Sequence, residues 1–153
     1  MSKIKWLWSV AIAMGIVLIY ASLSSYFIKI DDWYNGLSLP AIILPPLGMT
    51  VAWSIIYIIN ITVIARTVYY KYYLYLLIPI CILGITNIIW CMVFFTFHSI
   101  VGAFVVLILQ TLLSVAIFIM LIREDCISMI FWQVNLVWYL YLLCLIWGLV
   151  LGK

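Results

Sequence analysis

The chain has 153 residues, of which 71% are hydrophobic and only 7% are charged. A soluble globular domain has about a quarter of its residues charged, so this composition excludes that class of protein. The seven basic residues give a net charge of +3, but they are scattered between apolar runs. We therefore expect no nucleic-acid partner. We expect residues 1–153 to form a single all-α domain embedded in the lipid bilayer.

Charged residues divide the chain into uncharged runs, and the length of each run predicts membrane-spanning helices. The first run, residues 6–28, has about the 20 residues that cross a bilayer. A cleaved signal peptide is the alternative, because two lysines precede this run. The run is longer than the apolar core of a signal peptide, and no clear cleavage site follows it. We therefore expect a retained first span.

The second uncharged run begins with a segment that is unsuited to a regular helix. Three prolines and one glycine lie between Trp33 and Pro46, and proline lacks the backbone N–H that a helix interior requires. We predict that residues 29–46 form a loop, named the first loop below, and that the second span covers residues 47–65. The adjacent carboxylates of Asp31 and Asp32 could serve acid–base chemistry, but a solvated turn is the simpler interpretation.

The next uncharged run extends over residues 72–122. As one helix it would be about 76 Å long, more than twice the thickness of the hydrocarbon core. Its most polar segment, residues 96–99, predicts a turn between spans at 73–95 and 100–122. A last run supplies the fifth span, residues 127–150. Continuous apolarity excludes the alternation of a β-barrel, so the sequence predicts a bundle of five transmembrane helices.

An odd number of spans places the two termini on opposite sides of the membrane. The side of the N-terminus then carries five of the seven basic residues, and the other side carries Lys29 and Lys153. Positive residues are enriched on the cytoplasmic side. We therefore predict a cytoplasmic N-terminus, with the first loop and the C-terminus outside.

Polar side chains at membrane depth are few, and none is charged. They are the amides Asn60, Asn87, Gln110, Gln133 and Asn135. A proton or ion pathway normally contains ionisable groups within the membrane, so the sequence argues against an ion-coupled transporter. The chain has one histidine, His98, and no phosphate-binding, hydrolase or metalloprotease motif. We predict no metal site and no cofactor.

Aromatic residues recur beside these amides with helical spacing. Trp53, Tyr57 and Asn60 share one face of the second span, because they are separated by four and then three residues. The same kind of spacing joins Asn87 with Trp90 in the third span and Asn135 with Trp138 in the fifth. Two interpretations remain open. Either the groups only pack helices together, or they form a shared aromatic pocket.

Three segments carry a recognisable pattern of aromatic residues and prolines. The first includes Trp33, Tyr34, Leu37, Pro40, Pro45, Pro46, Trp53 and Tyr57. The second is NIIWCMVFF at residues 87–95, and the third contains Trp138. In this order and spacing they resemble the first loop and the second, third and fifth helices of the translocator-protein family, also called tryptophan-rich sensory proteins (TspO/MBR). The resemblance covers the whole chain.

The chain departs from the family pattern at positions that bear on ligand binding. Leu39 occupies the position of the family's usual lysine, and Ile42 or Ile43 stands where an aromatic residue is common. Val134 and Asn135 replace the proline and tyrosine that usually precede the fifth-helix tryptophan, and the fourth helix lacks the customary aspartate. The chain therefore resembles a divergent member of the family.

The resemblance implies a five-helix bundle, usually a homodimer, in the cell membrane of a bacterium, with a pocket capped by the first loop. Family members bind porphyrins such as protoporphyrin IX, and some bacterial members are reported to degrade it in light. The implied ligand site comprises Trp33, Tyr34, Pro45, Trp53, Tyr57, Asn87, Trp90 and Trp138. Trp53 and Trp138 are also the candidates for photo-oxidation.

We therefore expect a membrane-embedded binding or sensing protein for tetrapyrroles. A light-dependent enzyme that degrades porphyrin is one alternative, and a carrier or structural subunit without ligand chemistry is another. Sterol recognition should be poor, because no basic residue follows Tyr141 before Lys153.

Overall fold

The protein is an all-α bundle of five long helices. The computed structural model describes residues 2–71 and 74–152. All five long helices are sufficiently long and apolar to cross a membrane, which confirms the predicted fold class. The helices are α1 (Lys3–Phe27), the single turn α2 (Asp32–Asn35), α3 (Pro46–Tyr70), α4 (Leu74–Cys91), α5 (Ile100–Glu124) and α6 (Cys126–Leu151); α4 continues into a π-helical turn, Met92–Thr96.

The long helices extend beyond the predicted spans, because the prediction counted only uncharged residues. α1 begins at Lys3, and α3 continues past Arg66 to Tyr70. Long basic side chains at a helix end can reach the membrane surface while their backbone remains helical. α3 begins at Pro46, since proline is well suited to the first position of a helix. The predicted start of the third span at residue 73 lies outside the described residues.

The five long helices pack in a closed ring. α1 packs against α3 and α4, α6 packs against α3 and α5, and α4 packs against α5. The order around the ring is therefore α1, α3, α6, α5 and α4. In addition, α3 contacts α4 across the ring. Side chains from α1, α3, α4 and α6 therefore meet in the interior.

The first loop contains one turn of helix that the sequence analysis did not expect. Asp31 initiates α2, because its Oδ1 accepts a hydrogen bond from the backbone N–H of Tyr34 at 3.0 Å. The turn ends at Gly36, before Pro40. Proline and glycine exclude a long helix in this loop, but they leave room for a single capped turn.

The end of the bundle opposite the first loop is fastened by an ion pair between α3 and α6. Arg66 donates from Nε to Asp125 Oδ2 at 2.7 Å and from Nη2 to Asp125 Oδ1 at 2.9 Å. Ser128 donates to the same carboxylate at 2.6 Å. Burial alone would raise the pKa of Asp125, but the bonds from Arg66 and Ser128 outweigh it and hold that pKa below its ordinary value.

Candidate functional site

Two small cavities lie inside the ring of helices. The first, which we name the inner cavity, lies between α1, α3, α4 and α6 and has a free volume of about 10 Å³. Its walls include Tyr20, Trp53, Tyr57, Asn60, Asn87 and Tyr139. The second, named the loop cavity, lies under the first loop and has a free volume of about 40 Å³. Its walls include Tyr34, Leu39, Trp90, Phe94, Phe95 and residues 142–149 of α6.

The two cavities follow one another along the same helices. The inner cavity uses residues 80–87 of α4 and 132–139 of α6, and the loop cavity uses residues 90–95 and 142–149. Neither admits a drug-sized molecule in this conformation, because ligand pockets usually measure about 300–1,000 Å³. A ligand would have to move the side chains between the cavities or displace the first loop.

Aromatic rings connect the cavities to each other and to the first loop. The ring centroids of Trp53 and Trp138 lie 5.4 Å apart in an edge-to-face contact. Trp138 also stacks on Tyr141 at 5.2 Å. On the opposite wall, Trp90 lies parallel to Phe94 at 5.5 Å. The distances and angles are typical of favourable aromatic pairs.

Two of the buried tryptophans have an indole N–H without a hydrogen-bond partner among the described residues. They are Trp90 and Trp138, each only 7% exposed. Trp132 of α6 provides the contrast, because its N–H donates to the carbonyl oxygen and to the hydroxyl of Ser114, both at 3.0 Å. A buried donor without an acceptor costs about 1–3 kcal/mol. The two unpaired donors are therefore available to an acceptor on a ligand.

Three of the five amides named from the sequence, Asn60, Asn87 and Asn135, form hydrogen bonds between helices. Asn60 donates to the hydroxyl of Tyr20 at 2.8 Å and accepts from Asn135 at 3.1 Å, which joins α3 to α1 and α6. Asn87 donates to the Ser24 hydroxyl at 3.1 Å, which joins α4 to α1. The interpretation as contacts between helices therefore holds for these amides, and Asn60 and Asn87 line the inner cavity as well.

The first loop rests on α6 through two contacts. The Tyr141 hydroxyl accepts a hydrogen bond from the backbone N–H of Leu44 and donates one to the carbonyl oxygen of Ile42, both at 3.1 Å. Gly148 allows Pro40 to lie against the helix, because a Cβ atom at residue 148 would come within 2.8 Å of Pro40 Cγ. Glycine is required here for the close approach of the loop.

A third contact joins the first loop to the turn between α4 and α5. His98 stacks on the Trp33 ring at 4.4 Å between centroids and 18° between planes. The His98 Nε2 atom also lies 3.0 Å from Asp31 Oδ2. The Tyr34 backbone N–H and then the His98 imidazole hold the pKa of Asp31 below its ordinary value of 3.8.

The predicted site residues do not share one cavity. Trp53, Tyr57 and Asn87 line the inner cavity, and Tyr34 and Trp90 line the loop cavity. In this conformation these residues are divided between the two cavities, and the single ligand site stays a prediction. The other three predicted residues lie beside the cavities: Trp138 contacts Trp53, Trp33 stacks on His98, and Pro45 is exposed at the start of α3.

The site also includes residues that were not predicted from sequence, among them Trp132 of the inner cavity. Tyr20 and Tyr139 line the inner cavity, and nothing in the apolar runs distinguishes them from other aromatic residues. Tyr141 and His98 hold the first loop. For the contact between His98 and Asp31 the sequence offered one signal. An aspartate three residues before Tyr34 is a typical helix cap, and such a cap fixes the conformation of the loop.

These features define an integral membrane protein whose helices enclose aromatic side chains beneath a docked loop, an architecture suited to binding or sensing a small molecule. The sequence profile of the TspO/MBR family matches residues 9–151, nearly the whole chain. The chain belongs to the TspO/MBR family, which confirms the resemblance found in the sequence. The comparison with curated proteins gives no match.

Proposed function

We propose that this protein binds a planar, largely apolar ligand of the tetrapyrrole class inside the ring of helices, in a site that joins the two cavities. The observation that carries the proposal is the buried indole N–H of Trp90. Trp90 lines the loop cavity, and its donor has no partner among the described residues. An oxygen or nitrogen acceptor on a ligand would satisfy this donor and remove the cost of leaving it unpaired.

The aromatic lining supports a flat ligand. Trp53, Trp138 and Tyr141 form a continuous series of ring contacts on one side, and Trp90 with Phe94 provides parallel rings on the other. Extended π-systems bind well against such surfaces, because they bury a large apolar area and can stack or meet ring edges. A tetrapyrrole offers this shape together with acceptor atoms.

Binding requires the first loop to move. The free volumes of about 10 Å³ and about 40 Å³ are far below what a tetrapyrrole occupies. The described contacts that hold the loop are few, and they include the two bonds of Tyr141 and the contacts of His98. The loop is therefore the element that we expect to open.

The carboxylates of a porphyrin would face the loop end of the site. Leu39 lines the loop cavity at the position where the family pattern has lysine, so the cation that would bind a propionate is replaced by an apolar side chain. Charge-assisted hydrogen bonds are stronger than neutral ones. We therefore propose weaker binding than in family members that keep the lysine.

The test is a titration of protoporphyrin IX into the full chain in lipid nanodiscs, in darkness, with empty nanodiscs as the control. Saturable binding at one ligand per chain, with a shifted Soret band, supports the proposal. Partition that rises linearly with lipid and is equal in empty nanodiscs would refute it, and would support a carrier or structural role without ligand chemistry.

A light-dependent reaction is the second candidate. The contact between Trp53 and Trp138 places two oxidisable indoles together beside the inner cavity. An excited porphyrin with dioxygen as the oxidant could react there, and loss of the Soret band in light would reveal it. Bleaching that is equally fast with free porphyrin would exclude a contribution from the protein.

We also propose a cytoplasmic N-terminus, a bacterial cell membrane and a homodimer. The orientation rests on the five-to-two distribution of basic residues, and the dimer rests on the family. A cysteine placed at Ser38 in the first loop, labelled with an impermeant maleimide, decides the orientation. Labelling only from the cytoplasmic side would reverse it. Sedimentation of the protein in detergent measures its mass and therefore shows whether it is a dimer.

A further inference from the structure

His98 and Asp31 join two segments that are distant in sequence. Asp31 and Trp33 belong to the first loop, and His98 belongs to the turn between α4 and α5. The imidazole contacts both loop residues, with Nε2 at 3.0 Å from the carboxylate and the ring stacked at 4.4 Å on the indole. These three side chains form what we name the latch. Apart from the latch, the loop is held by the contacts with α6 described above and by ring contacts of Trp33 and Tyr34 with Phe94 and Phe95.

The backbone of His98 supports a dedicated role for this residue. Its φ angle is +53°, in the left-handed region that most side chains avoid. This conformation places the imidazole in the turn between α4 and α5, next to the first loop. Histidine, asparagine and aspartate tolerate this region better than other residues with side chains.

We propose that the latch is a proton-dependent fastening of the first loop, so that protonation of His98 slows access of ligands to the site. Protonation adds a positive charge between two loop groups that both attract it. The Asp31 carboxylate gains an ion pair, and the Trp33 ring gains a cation–π contact. The neutral imidazole keeps a hydrogen bond to the carboxylate and a stacking contact, but it brings no positive charge to either group.

Histidine changes charge between about pH 5 and pH 8. Asp31 stays ionised throughout that range, because its pKa is held below 3.8. The other charged groups that the structure describes at this end are Lys29 and Asp32, both in the loop and of opposite sign. The helices packed there add no further carboxylate or ammonium among the described residues; their titratable side chains are Tyr26, Tyr141 and Cys144, and the loop itself adds Tyr34.

The expected effect is moderate, because both ionic partners are partly exposed to solvent, at 38% for His98 and 39% for Asp31. Contacts of this kind between exposed groups change an equilibrium by about three- to tenfold. Protonation should therefore shift the ratio of docked to released loop by that factor. The shift is small enough to be reversible and large enough to measure.

The short helix α2 provides a direct reporter of the latch. It has four residues, and a helix of this length does not persist in water without tertiary support. Its backbone amides, including those of Asn35 and Gly36, bond within the turn. When Asp31 and Trp33 leave His98, the turn should lose its support and its amides should exchange with solvent.

The experiment is hydrogen–deuterium exchange of residues 34–37 in the full chain in nanodiscs, at about pH 5.5 and about pH 8, on either side of the range in which histidine titrates. Rates are divided by the intrinsic rate at each pH. The matched variants are His98→Asn, which tolerates the left-handed backbone, and Asp31→Asn, whose amide oxygen can still cap α2.

We expect the wild type to be protected about three- to tenfold more at the lower pH. His98→Asn should show no such difference, and Asp31→Asn should show a smaller one, because its histidine still lies on the Trp33 ring. Equal protection of the wild type at both values would overturn the proposal, as would an unchanged pH dependence in His98→Asn. If either variant fails to fold, the other variant and the wild type still show whether docking of the first loop depends on pH.

Ligand access is tested separately, and this part rests on the proposed function. The association rate of protoporphyrin IX is measured for the wild type and His98→Asn at both pH values, so that ionisation of the porphyrin affects both proteins equally. If the association rate of the wild type divided by that of His98→Asn falls at the lower pH, the latch controls access. A ratio that is the same at both pH values contradicts this control. If protoporphyrin does not bind at all, the proposed function fails, while the exchange of residues 34–37 still decides whether the latch exists.

Discussion

The buried tryptophans should divide into two groups when each is replaced by phenylalanine. Trp132 is fully buried, and its N–H donates to two oxygens of Ser114. Trp90 and Trp138 are also buried, but their N–H groups have no partner among the described residues. Each substitution removes the same atoms and leaves an aromatic ring. The difference between the groups therefore measures what the N–H does.

The magnitudes follow from the hydrogen bonds. The smaller ring leaves a cavity that costs about 1 kcal/mol at each site. At Trp132 the loss of the bonds to Ser114 adds about 1–3 kcal/mol, whereas at Trp90 and Trp138 removal of an unpaired donor returns a similar amount. We expect Trp132→Phe to lower the free energy of unfolding by about 2–4 kcal/mol, and the other two variants to be as stable as wild type or up to about 2 kcal/mol more stable.

Ligand affinity should show the reverse order. A lost hydrogen bond to the ligand costs about 1–3 kcal/mol, or about five- to a hundredfold in Kd. Trp90→Phe should therefore bind protoporphyrin IX more weakly. Trp132 also lines the inner cavity, but its N–H is bonded to Ser114, so Trp132→Phe should lose less affinity while folded. Thermal unfolding in detergent and the dark titration give both quantities for each variant. The reasoning is refuted if Trp90→Phe is as destabilised as Trp132→Phe, or if it binds as tightly as wild type.

Three further predictions concern the site and its support. Leu39→Lys should tighten protoporphyrin binding about fivefold, because it places an ammonium beside the propionates at a partly exposed position; an unchanged Kd in the same titration would exclude propionates at that point. Asp125→Asn should lower the free energy of unfolding by about 1–3 kcal/mol, because it removes the negative charge that pairs with Arg66 and leaves one acceptor oxygen in place of two. Since the pKa of Asp125 is depressed, its contribution is complete above about pH 3.8 and is lost as the pH falls through the lower folded value; a Tm that falls equally in acid for wild type and variant would contradict this. Trp53→Phe and Trp138→Phe should slow light-driven loss of the Soret band, and wild-type bleaching rates in both would show that these indoles only pack.

The five helices could be predicted because a single physical constraint decides them. Backbone groups in lipid must be paired within the segment, so each sufficiently long apolar run becomes a helix. The sequence also indicated where the chain turns, since residues 96–99 are polar and α5 begins at Ile100. The ends were less predictable. Charged residues such as Lys3 and Arg66 continue a helix into the membrane surface, and counting uncharged residues misses them.

The arrangement of the site was only partly predictable. Helical spacing correctly placed Trp53, Tyr57 and Asn60 on one face, because local geometry determines it. The division into two cavities depends on how side chains from four helices interdigitate, and no periodicity in one span contains that information. The contacts of Tyr141 with the first loop span more than ninety residues, so they follow from tertiary structure alone.

The location of the ligand is the central claim, and the indole N–H signals test it most directly. The chain has 8 tryptophans, so ¹⁵N-tryptophan labelling gives a small set of signals that the phenylalanine variants assign. On addition of one equivalent of protoporphyrin IX, we expect large changes in the indole N–H chemical shifts of Trp90 and Trp138. Their donors gain an acceptor and lie beside the porphyrin ring. The Trp132 signal should shift less, because its N–H is already bonded to Ser114 and gains no acceptor, although its ring lines the inner cavity. Shifts confined to the exposed Trp8 and Trp147, with Trp90 and Trp138 unchanged, would contradict a site inside the ring of helices.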